Sequence, residues 1–474
     1  MYFERIYEKG LAQASYFIGC QATKEAIVID PKRDIDTYLE IAERENLRIT
    51  HITETHIHAD FLSGSLELAD ATDAKIYLSS EGGIDWQYQF DHIGLRDGDE
   101  IKIGNIKFQV MHTPGHTPEH LSFILTDTPA SSKPVMIFTG DFVFVGDVGR
   151  PDLLEKAAGI EGTMIKGARE MFQSLMKFKS LPDHLQVWPA HGAGSVCGKA
   201  LGAVPGSTVG YEKLSNWALK IEDEDTFIQS LLEGQPEPPK YFAMMKHLNK
   251  VGPKILGSVP HPARLSVNKF KEAVTKGCSI VDTRDRLSYA GGHIPGSLNI
   301  QDNSSFSTWV GWMLDYEKPF ILIAPENRIQ ALNRALIRIG MDNLAGYLPD
   351  IDKLENTGIN LEILKQINPY EFQENIFDFK VIDVRSYTEY NLERIPDAIN
   401  IHAGYLEKNL NKISPDDKLV VYCTSGDRSS IAASYLLRLG YKNVTNLSGG
   451  INNWIQTGLK IQKESANRLS SVEN

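Results

Sequence analysis

His56, His58 and Asp60 alternate along Thr55-His-Ile-His-Ala-Asp-Phe61, directly after the apolar run Ile49 to Ile52. On an extended chain alternate side chains point the same way, so these three donors can turn toward one point. Neutral imidazole and carboxylate are ligands for divalent transition metals. A lone His-x-His is weak, because an isolated buried histidine is more often a satisfied core residue. Three later stretches bring donors of the same chemistry: His112-Thr-Pro-Gly-His116, Thr139-Gly-Asp141 and Pro189-Ala-His191-Gly192. A second chemistry lies near the other end. The apolar run Leu419 to Tyr422 leads into Cys423-Thr424-Ser425-Gly426-Asp427-Arg428-Ser429, and a helical pattern follows from Ile431 to Leu439. A cysteine between a strand end and a helix start faces backbone N–H groups and the positive end of the helix dipole. Arg428 adds a full charge, and both effects favour the nucleophilic thiolate.

The elements that must position these groups are readable. Ser15 to Ile18 and Ala26 to Ile29 predict a strand pair. Asp34 to Glu45 carries a helical period through Ile35, Tyr38, Leu39 and Ala42. Ile49 to Thr53 predicts the strand ahead of the first donor stretch, Ser65 to Thr72 a helix and Ala74 to Leu78 a strand. Gly104-Asn105 marks a hairpin turn between Ile101-Lys-Ile103 and Ile106 to Met111. Leu121 to Leu125, Val135 to Phe138 and Val187-Trp188 complete the strands. Each donor group thus lies just past a strand end, where a sheet can hold ligands on its rim loops. Thr113-Pro114-Gly115 forces a tight turn ahead of His116, and His112 and His120 read as scaffold.

At 474 residues the chain is long enough for several domains of about 100–200 residues each. Its net charge of −12 argues against a nucleic-acid partner or an anionic membrane surface. No apolar stretch approaches the ~20 residues of a membrane span, and Met-Tyr-Phe-Glu-Arg does not read as a signal peptide. Four cysteines, Cys20, Cys197, Cys278 and Cys423, are too few for a disulfide framework. A cytoplasmic protein with free thiols is expected, and a homo-oligomer is compatible with this composition.

Thr-His-x-His-x-Asp, His-Thr-Pro-Gly-His, Gly-Asp and Ala-His-Gly, in that order and between strands, resemble the metallo-β-lactamase superfamily over the first half of the chain. The resemblance implies two facing sheets with helices outside. Members with two metals usually carry histidine directly after the motif's aspartate, where this chain has Phe61. Phenylalanine cannot ligate, so one metal is expected. Thr-His-x-His-Ala-Asp and Gly146-Asp-Val-Gly-Arg150-Pro-Asp152 further resemble the persulfide dioxygenase branch. That resemblance implies His56, His116 and Asp141 as ligands of one non-haem Fe(II), with His58, Asp60 and His191 behind them. Two imidazoles and a carboxylate with open positions suit oxygen activation. Arg150 reads either as a substrate contact or as half of a structural Arg–Asp pair. The glycine-rich stretch after His191 brings Cys197 and Lys199 into consideration as substrate contacts; for Cys197 the plainer reading is a small buried hydrophobe.

Ser215 to Lys250 predicts amphipathic helix, broken at Gly234-Gln-Pro-Glu-Pro-Pro239; the proline-rich Leu256-Gly-Ser-Val-Pro-His-Pro262 that follows predicts a linker, and an internal repeat comes after it. Ile280-Val-Asp282-Thr-Arg284 recurs as Val381-Ile-Asp383-Val-Arg385, and His293-Ile-Pro-Gly-Ser-Leu-Asn299 as Arg394-Ile-Pro-Asp-Ala-Ile-Asn400. Both copies predict parallel sheets between helices and resemble rhodanese domains. In that family the Cys-x4-Arg loop suits sulfur rather than phosphate, which makes Cys423 and Arg428 catalytic, Thr424, Ser425, Gly426 and Ser429 loop-forming, and Asp427 an Arg-paired loop brace. The first copy has Ala324-Pro-Glu-Asn-Arg328 at the corresponding loop and no cysteine, so it reads as a spacer or docking domain. An α/β multidomain chain follows: an αββα metallo-β-lactamase fold over 1–255, a cysteine-less rhodanese-like domain over 256–360 and a rhodanese domain over 361–474. The polar tail from Ile461 is expected to be flexible.

The expected activity is oxidation of a low-molecular-weight thiol persulfide by O2 to sulfite, joined to sulfur transfer through Cys423 that yields thiosulfate. Two rivals stand beside it. One is a zinc-dependent thioester hydrolase of the glyoxalase II type with a sulfurtransferase tail. The other is a non-enzymatic polysulfide carrier or sensor.

Overall fold

The computed structural model describes all residues except 154, 156–161, 196, 200, 355, 356 and 464–474. Most of the tail expected to be flexible therefore lies outside the described residues. The chain divides into two compact units: Met1–Pro260 with Arg334–Met341, and His261–Asn333 with Asp342–Asn474.

The first unit holds two six-stranded sheets. One runs β1 (Tyr2–Glu8), β2 (Gln13–Cys20), β3 (Glu25–Ile29), β4 (Arg48–Thr53), β5 (Lys75–Ser79), β6 (Ile93–Leu95). The other runs β12 (Ser207–Thr208), β11 (Gln186–Pro189), β10 (Met136–Gly140), β9 (Leu121–Asp127), β8 (Ile106–His112), β7 (Glu100–Ile103). Their inner faces alternate as strand geometry demands. Ala14, Tyr16, Ile18, Ile27 and Ile29 from one sheet and Phe108, Val110, Phe123, Leu125 and Phe138 from the other share one buried core. The alternate residues face outward and are covered by helices. Phe17, Val28 and Ile52 pack on Tyr38, Ile41 and Leu68 from the helices Asp36–Arg44 and Ser65–Thr72. Ile137 and Val187 pack on Ala168, Met171 and Leu175 from the helix Thr163–Lys179. This is the helix–sheet–sheet–helix arrangement expected of the first half. The hairpin at Gly104 pairs Ile103 with Ile106, with Gly104 at φ +54°, a conformation that favours glycine. Several elements have no counterpart in the sequence reading, among them β1, β6, β12 and the helix Thr163–Lys179.

The second unit holds a four-stranded sheet, β14 (Leu298–Asn299), β13 (Ser279–Asp282), β15 (Phe320–Ile323), β16 (Leu344–Leu348). Beside it in the same unit is a five-stranded sheet, β17 (Lys365–Ile367), β21 (Val444–Leu447), β20 (Leu419–Tyr422), β18 (Lys380–Asp383), β19 (Ile399–Asn400). All pairings are parallel. The repeat is kept down to single bonds. Arg284 Nη2 donates to Asp282 at 2.6 Å and Arg385 Nη2 to Asp383 at 2.7 Å. Asn299 and Asn400 each use Nδ2 to tie the carbonyls of the paired aspartate and arginine. Tyr289 and Tyr390 each donate to a carbonyl eight residues on, both at 2.8 Å.

Candidate metal centre and cysteine loop

Four strand ends of the first unit converge. The loop after β4 carries His56, His58 and Asp60; that after β8 carries His116; β10 ends beside Asp141, and β11 leads to His191. The ladder between β10 and β11 slips between Phe138 and Gly140, a bulge that re-aims the chain at Asp141. Gly149 is required opposite: a Cβ there would lie 1.8 Å from the Asp141 carbonyl oxygen.

His56, His116 and Asp141 each offer a ligand atom within 4.8 Å of the others, and all three are buried. Asp141 Oδ2 lies 3.5 Å from His116 Nε2 and 4.0 Å from His56 Nε2. The outer ring nitrogens are engaged elsewhere: His56 Nδ1 with Thr55 Oγ1 at 3.0 Å, His116 Nδ1 with the Arg150 carbonyl at 2.9 Å. That fixes both rings with Nε2 inward, the arrangement that orients metal ligands. Burial lowers the pKa of both imidazoles, for His56 reinforced by the surrounding histidines, so both are neutral donors. Asp141 is oriented from its backbone, whose N–H donates to His120 Nε2 at 3.1 Å; His120 Nδ1 then donates to Thr113 Oγ1 at 2.8 Å. His112 Nε2 bonds the Pro118 carbonyl. Both of these histidines are scaffold in this geometry.

Beside this set lies a second one: Asp60, His191 and Cys197, again within 4.8 Å and buried. His191 Nε2 is 3.3 Å from Asp60 Oδ2 and 3.4 Å from Asp141 Oδ1, while its Nδ1 bonds the Ala12 carbonyl at 3.1 Å. The Phe61 ring, at the position where the resemblance leads to an expected histidine, packs on His58 at 4.4 Å between centroids. Cys197 brings a third donor to that side, which spacing alone does not disclose. Burial, with Asp141 and Asp60 nearby, pushes the Cys197 thiol well above its usual pKa. Burial also raises Asp60, against the pull of His191.

His58 takes no part in either set. Its Nε2 bonds Asp30 Oδ1 at 3.1 Å. Burial alone would lower its pKa, but Asp30, Glu54 and Asp60 outweigh that and hold it at about 9. Asp30 also receives the Thr55 N–H at 2.7 Å, and Asn249 Nδ2 ties the carbonyls of His58 and Phe61, each at 2.8 Å. Glu119 accepts the Ile57 N–H at 2.8 Å between the two motif histidines. Burial pushes Glu119 up to about 7. Sequence reasoning missed Asp30, Glu119 and Asn249, because each acts across long stretches of chain.

Of the residues considered for substrate contact, Arg150 forms a fully buried two-pronged pair with Asp152, both bonds at 2.7 Å. Lys199 directs its ammonium at the carbonyls of Ser230 and Glu233 and over the Trp217 ring.

The residues fit a cation. His56 Nε2, both Asp141 carboxylate oxygens, Asp60 Oδ2 and His191 Nε2 are buried without a hydrogen-bond partner among the described residues. Each such atom costs about 1–3 kcal/mol when left unmet, and their gathering at one point fits a positive centre.

In the second unit, β20 delivers Cys423 to the start of the helix Asp427–Arg438. Cys423 Sγ accepts the Gly426 N–H at 3.1 Å and lies 3.6 Å from Ser429 Oγ. Arg428 does not lend its charge to the sulfur alone. It pairs with Glu389 through two 2.7 Å bonds and donates to Thr424 Oγ1 at 2.7 Å. Burial would raise Glu389, yet Arg428 brings it down to about 2. Glu389 escaped sequence reasoning, although Ser386-x-x-Glu389 marks it as the far end of a capping box. Asp427 pairs with Arg286. In the first copy Ala324 is followed by a short 3-10 turn, Glu326–Arg328, and Arg328 pairs with Asp302.

The metallo-beta-lactamase superfamily matches residues 9–227, and the rhodanese-like domain matches residues 266–350 and 368–457. A crystal structure of a metallo-beta-lactamase from Staphylococcus aureus subsp. aureus COL is 45% identical, with a TM-score of 0.69, over 74% of this chain and 99% of that one. The probable polyketide biosynthesis zinc-dependent hydrolase BaeB of Bacillus velezensis is 28% identical over 47% of this chain and 89% of its own length. The mitochondrial persulfide dioxygenase ETHE1 of Bos taurus is 28% identical over 40% of this chain, and the match spans 66% of that protein, just under two thirds. No helix among the described residues is long and apolar enough to cross a membrane. The chain belongs to the metallo-β-lactamase superfamily in its N-terminal part and carries two rhodanese-like domains behind it.

Proposed function

We propose that the chain oxidises a low-molecular-weight thiol persulfide with O2 to sulfite and passes sulfane sulfur through Cys423 to give thiosulfate. The observation that carries the reading is the inward-facing set of His56, His116 and Asp141, with the His56 Nε2 and both Asp141 oxygens buried and unpartnered. Its likeness to a persulfide dioxygenase supports it. These three residues would hold one ferrous ion per chain. When bound, such an ion supplies the redox chemistry by which O2 oxidises a sulfane sulfur. The net change balances as RSSH + O2 + H2O giving RSH and sulfurous acid, which ionises to sulfite. His120 and the Arg150 carbonyl keep Asp141 and His116 aimed inward. Asp60 and His191 share the adjoining edge, where the Asp60 carboxyl can hold a proton at Oδ2 for the departing thiolate. Cys423, backed by the Gly426 N–H and Ser429, carries the second sulfur. Free thiols throughout the chain suit a cytoplasmic setting.

The test is oxygen uptake and product analysis with glutathione persulfide. Cys423→Ser is expected to keep uptake within about twofold and to replace thiosulfate by sulfite, as loss of the only loop thiolate demands. Undiminished thiosulfate contradicts the role of Cys423.

A second reading, a zinc-dependent thioester hydrolase, is favoured by one observation: Asp60, His191 and Cys197 form a further donor set. Two zinc ions per chain and turnover of a thioester without O2 would establish it.

A further inference from the structure

The loop around Cys423 is not built by the second copy alone. Arg286 begins the short helix Arg286–Gly291 of the first copy and donates from Nη1 to Asp427 Oδ1 at 2.7 Å. Its side chain crosses Gly426. A Cβ on that glycine would lie 2.8 Å from Arg286 Nε and 3.0 Å from its Cδ, at a residue with φ +118°. The Gly426 N–H is the one that reaches Cys423 Sγ. A guanidinium from the copy without a cysteine therefore lies against the residue that contacts the sulfur.

Its placement is held by packing between the copies. Tyr289 and Ala290, on the same helix as Arg286, belong to one core with Cys423, Val384 and Ala432. Ser430 Oγ donates to Asn299 Oδ1 at 2.6 Å, and the Asn299 N–H donates to Ser434 Oγ at 3.0 Å. The helix that starts at the cysteine loop is thus bonded to β14 of the first copy.

The two arginines at the loop differ in what they are given to. Arg428 is clamped by Glu389 and Thr424. Arg286 meets its carboxylate through one N–H, and the two side chains are 34% and 42% exposed. A guanidinium carries several donors in a planar fork, suited to oxyanions. At this loop, then, a half-buried fork stands against the glycine whose N–H contacts the sulfur.

We propose that Arg286 is a specificity-determining residue of the Cys423 site, binding the oxygens of an anionic sulfur acceptor of the sulfite class. The inference rests on the reading of Cys423 as a sulfane-sulfur carrier. In the step concerned, the lone pair on the sulfur of sulfite attacks the outer sulfur of the Cys423 persulfide anion. The new S–S bond of thiosulfate forms, the bond to Cys423 Sγ breaks, and its electron pair stays on Cys423 as thiolate. Charge is conserved, and no proton or outside redox partner is needed.

The experiment uses the full chain loaded with sulfur from glutathione persulfide. It compares sulfite with an uncharged acceptor, 2-mercaptoethanol. Arg286→Gln is expected to raise the KM for sulfite about tenfold, the scale of a lost charge-assisted contact. The KM for 2-mercaptoethanol and the sulfur bound to Cys423, read by mass spectrometry, are expected to stay within about twofold. The double variant Arg286→Gln with Asp427→Asn separates anion binding from simple neutralisation of Asp427. A sulfite KM that stays high supports the inference, and one that returns to the wild-type value overturns it. Should Arg286→Gln fail to fold, Arg286→Lys, which keeps the charge without the fork, carries the same readout. Normal sulfur loading with an unchanged sulfite KM overturns this inference alone. Wild-type protein whose Cys423 takes up no sulfur brings down the carrier reading and this inference with it.

Discussion

The two halves of the metal pocket are built from the same strand ends and differ in what their donors are ready to do. On one side His56 and His116 are kept neutral by burial and locked by their outer nitrogens, with Asp141 between them. On the other, Asp60 and the Cys197 thiol are both pushed toward their protonated forms, and the Phe61 ring packs on His58. A cation entering the first side meets two imidazoles already neutral. A second cation would have to displace protons, and metal affinity falls with each one it must release. We propose that this difference in readiness favours one metal over two in this pocket.

Removing Asp141 breaks the comparison most severely, because both halves lean on it. Asp141→Asn is expected to abolish metal retention and to lower oxygen uptake by more than about a hundredfold, beyond the loss typical of outer partners. Metal content and an oxygen electrode read this directly. His120→Ala takes away the acceptor of the Asp141 N–H without touching a donor. Its expected effect is roughly 10–100-fold weaker metal binding, measured by competition with a chelator. Cys197→Ala sharpens the contrast: iron content should change by less than about twofold, since the thiol lies outside the first set. Loss of half the bound metal would instead place Cys197 among the ligands.

The smallest expected effect lies in the other unit. Glu389 has its pKa lowered to about 2 by Arg428. A carboxyl lowered on folding stabilises above its unfolded value and loses that contribution as pH falls toward the folded one. The gap in melting temperature between wild type and Glu389→Gln should therefore be present above about pH 4.5 and shrink below it. A gap independent of pH over that range contradicts the clamp.

Much of this was legible from residues alone where the signal is local. The short apolar runs Ser15 to Ile18 and Ala26 to Ile29 declare a strand pair, and four donor stretches after four strands declare a pocket. The helix Thr163–Lys179 carries a legible signal that the reading passed over, since Ala168, Met171, Phe172, Leu175 and Phe178 recur at helical spacing along its buried face. Strand β1 was not legible because it is half-buried almost throughout, so no face stands out. Asp30, Asn249, Glu389 and Arg286 act through contacts tens to hundreds of residues away in sequence, which no spacing encodes. Cys197 reaches the pocket on an irregular glycine-rich loop, where neither a two- nor a 3.6-residue period applies.

The central claim is a single redox metal held by His56, His116 and Asp141. Anaerobically purified protein should be analysed for metal and then given glutathione persulfide in an oxygen electrode. One iron per chain, with one O2 consumed for each sulfite-equivalent formed, is the predicted result. Two zinc ions per chain with no oxygen consumed would contradict it.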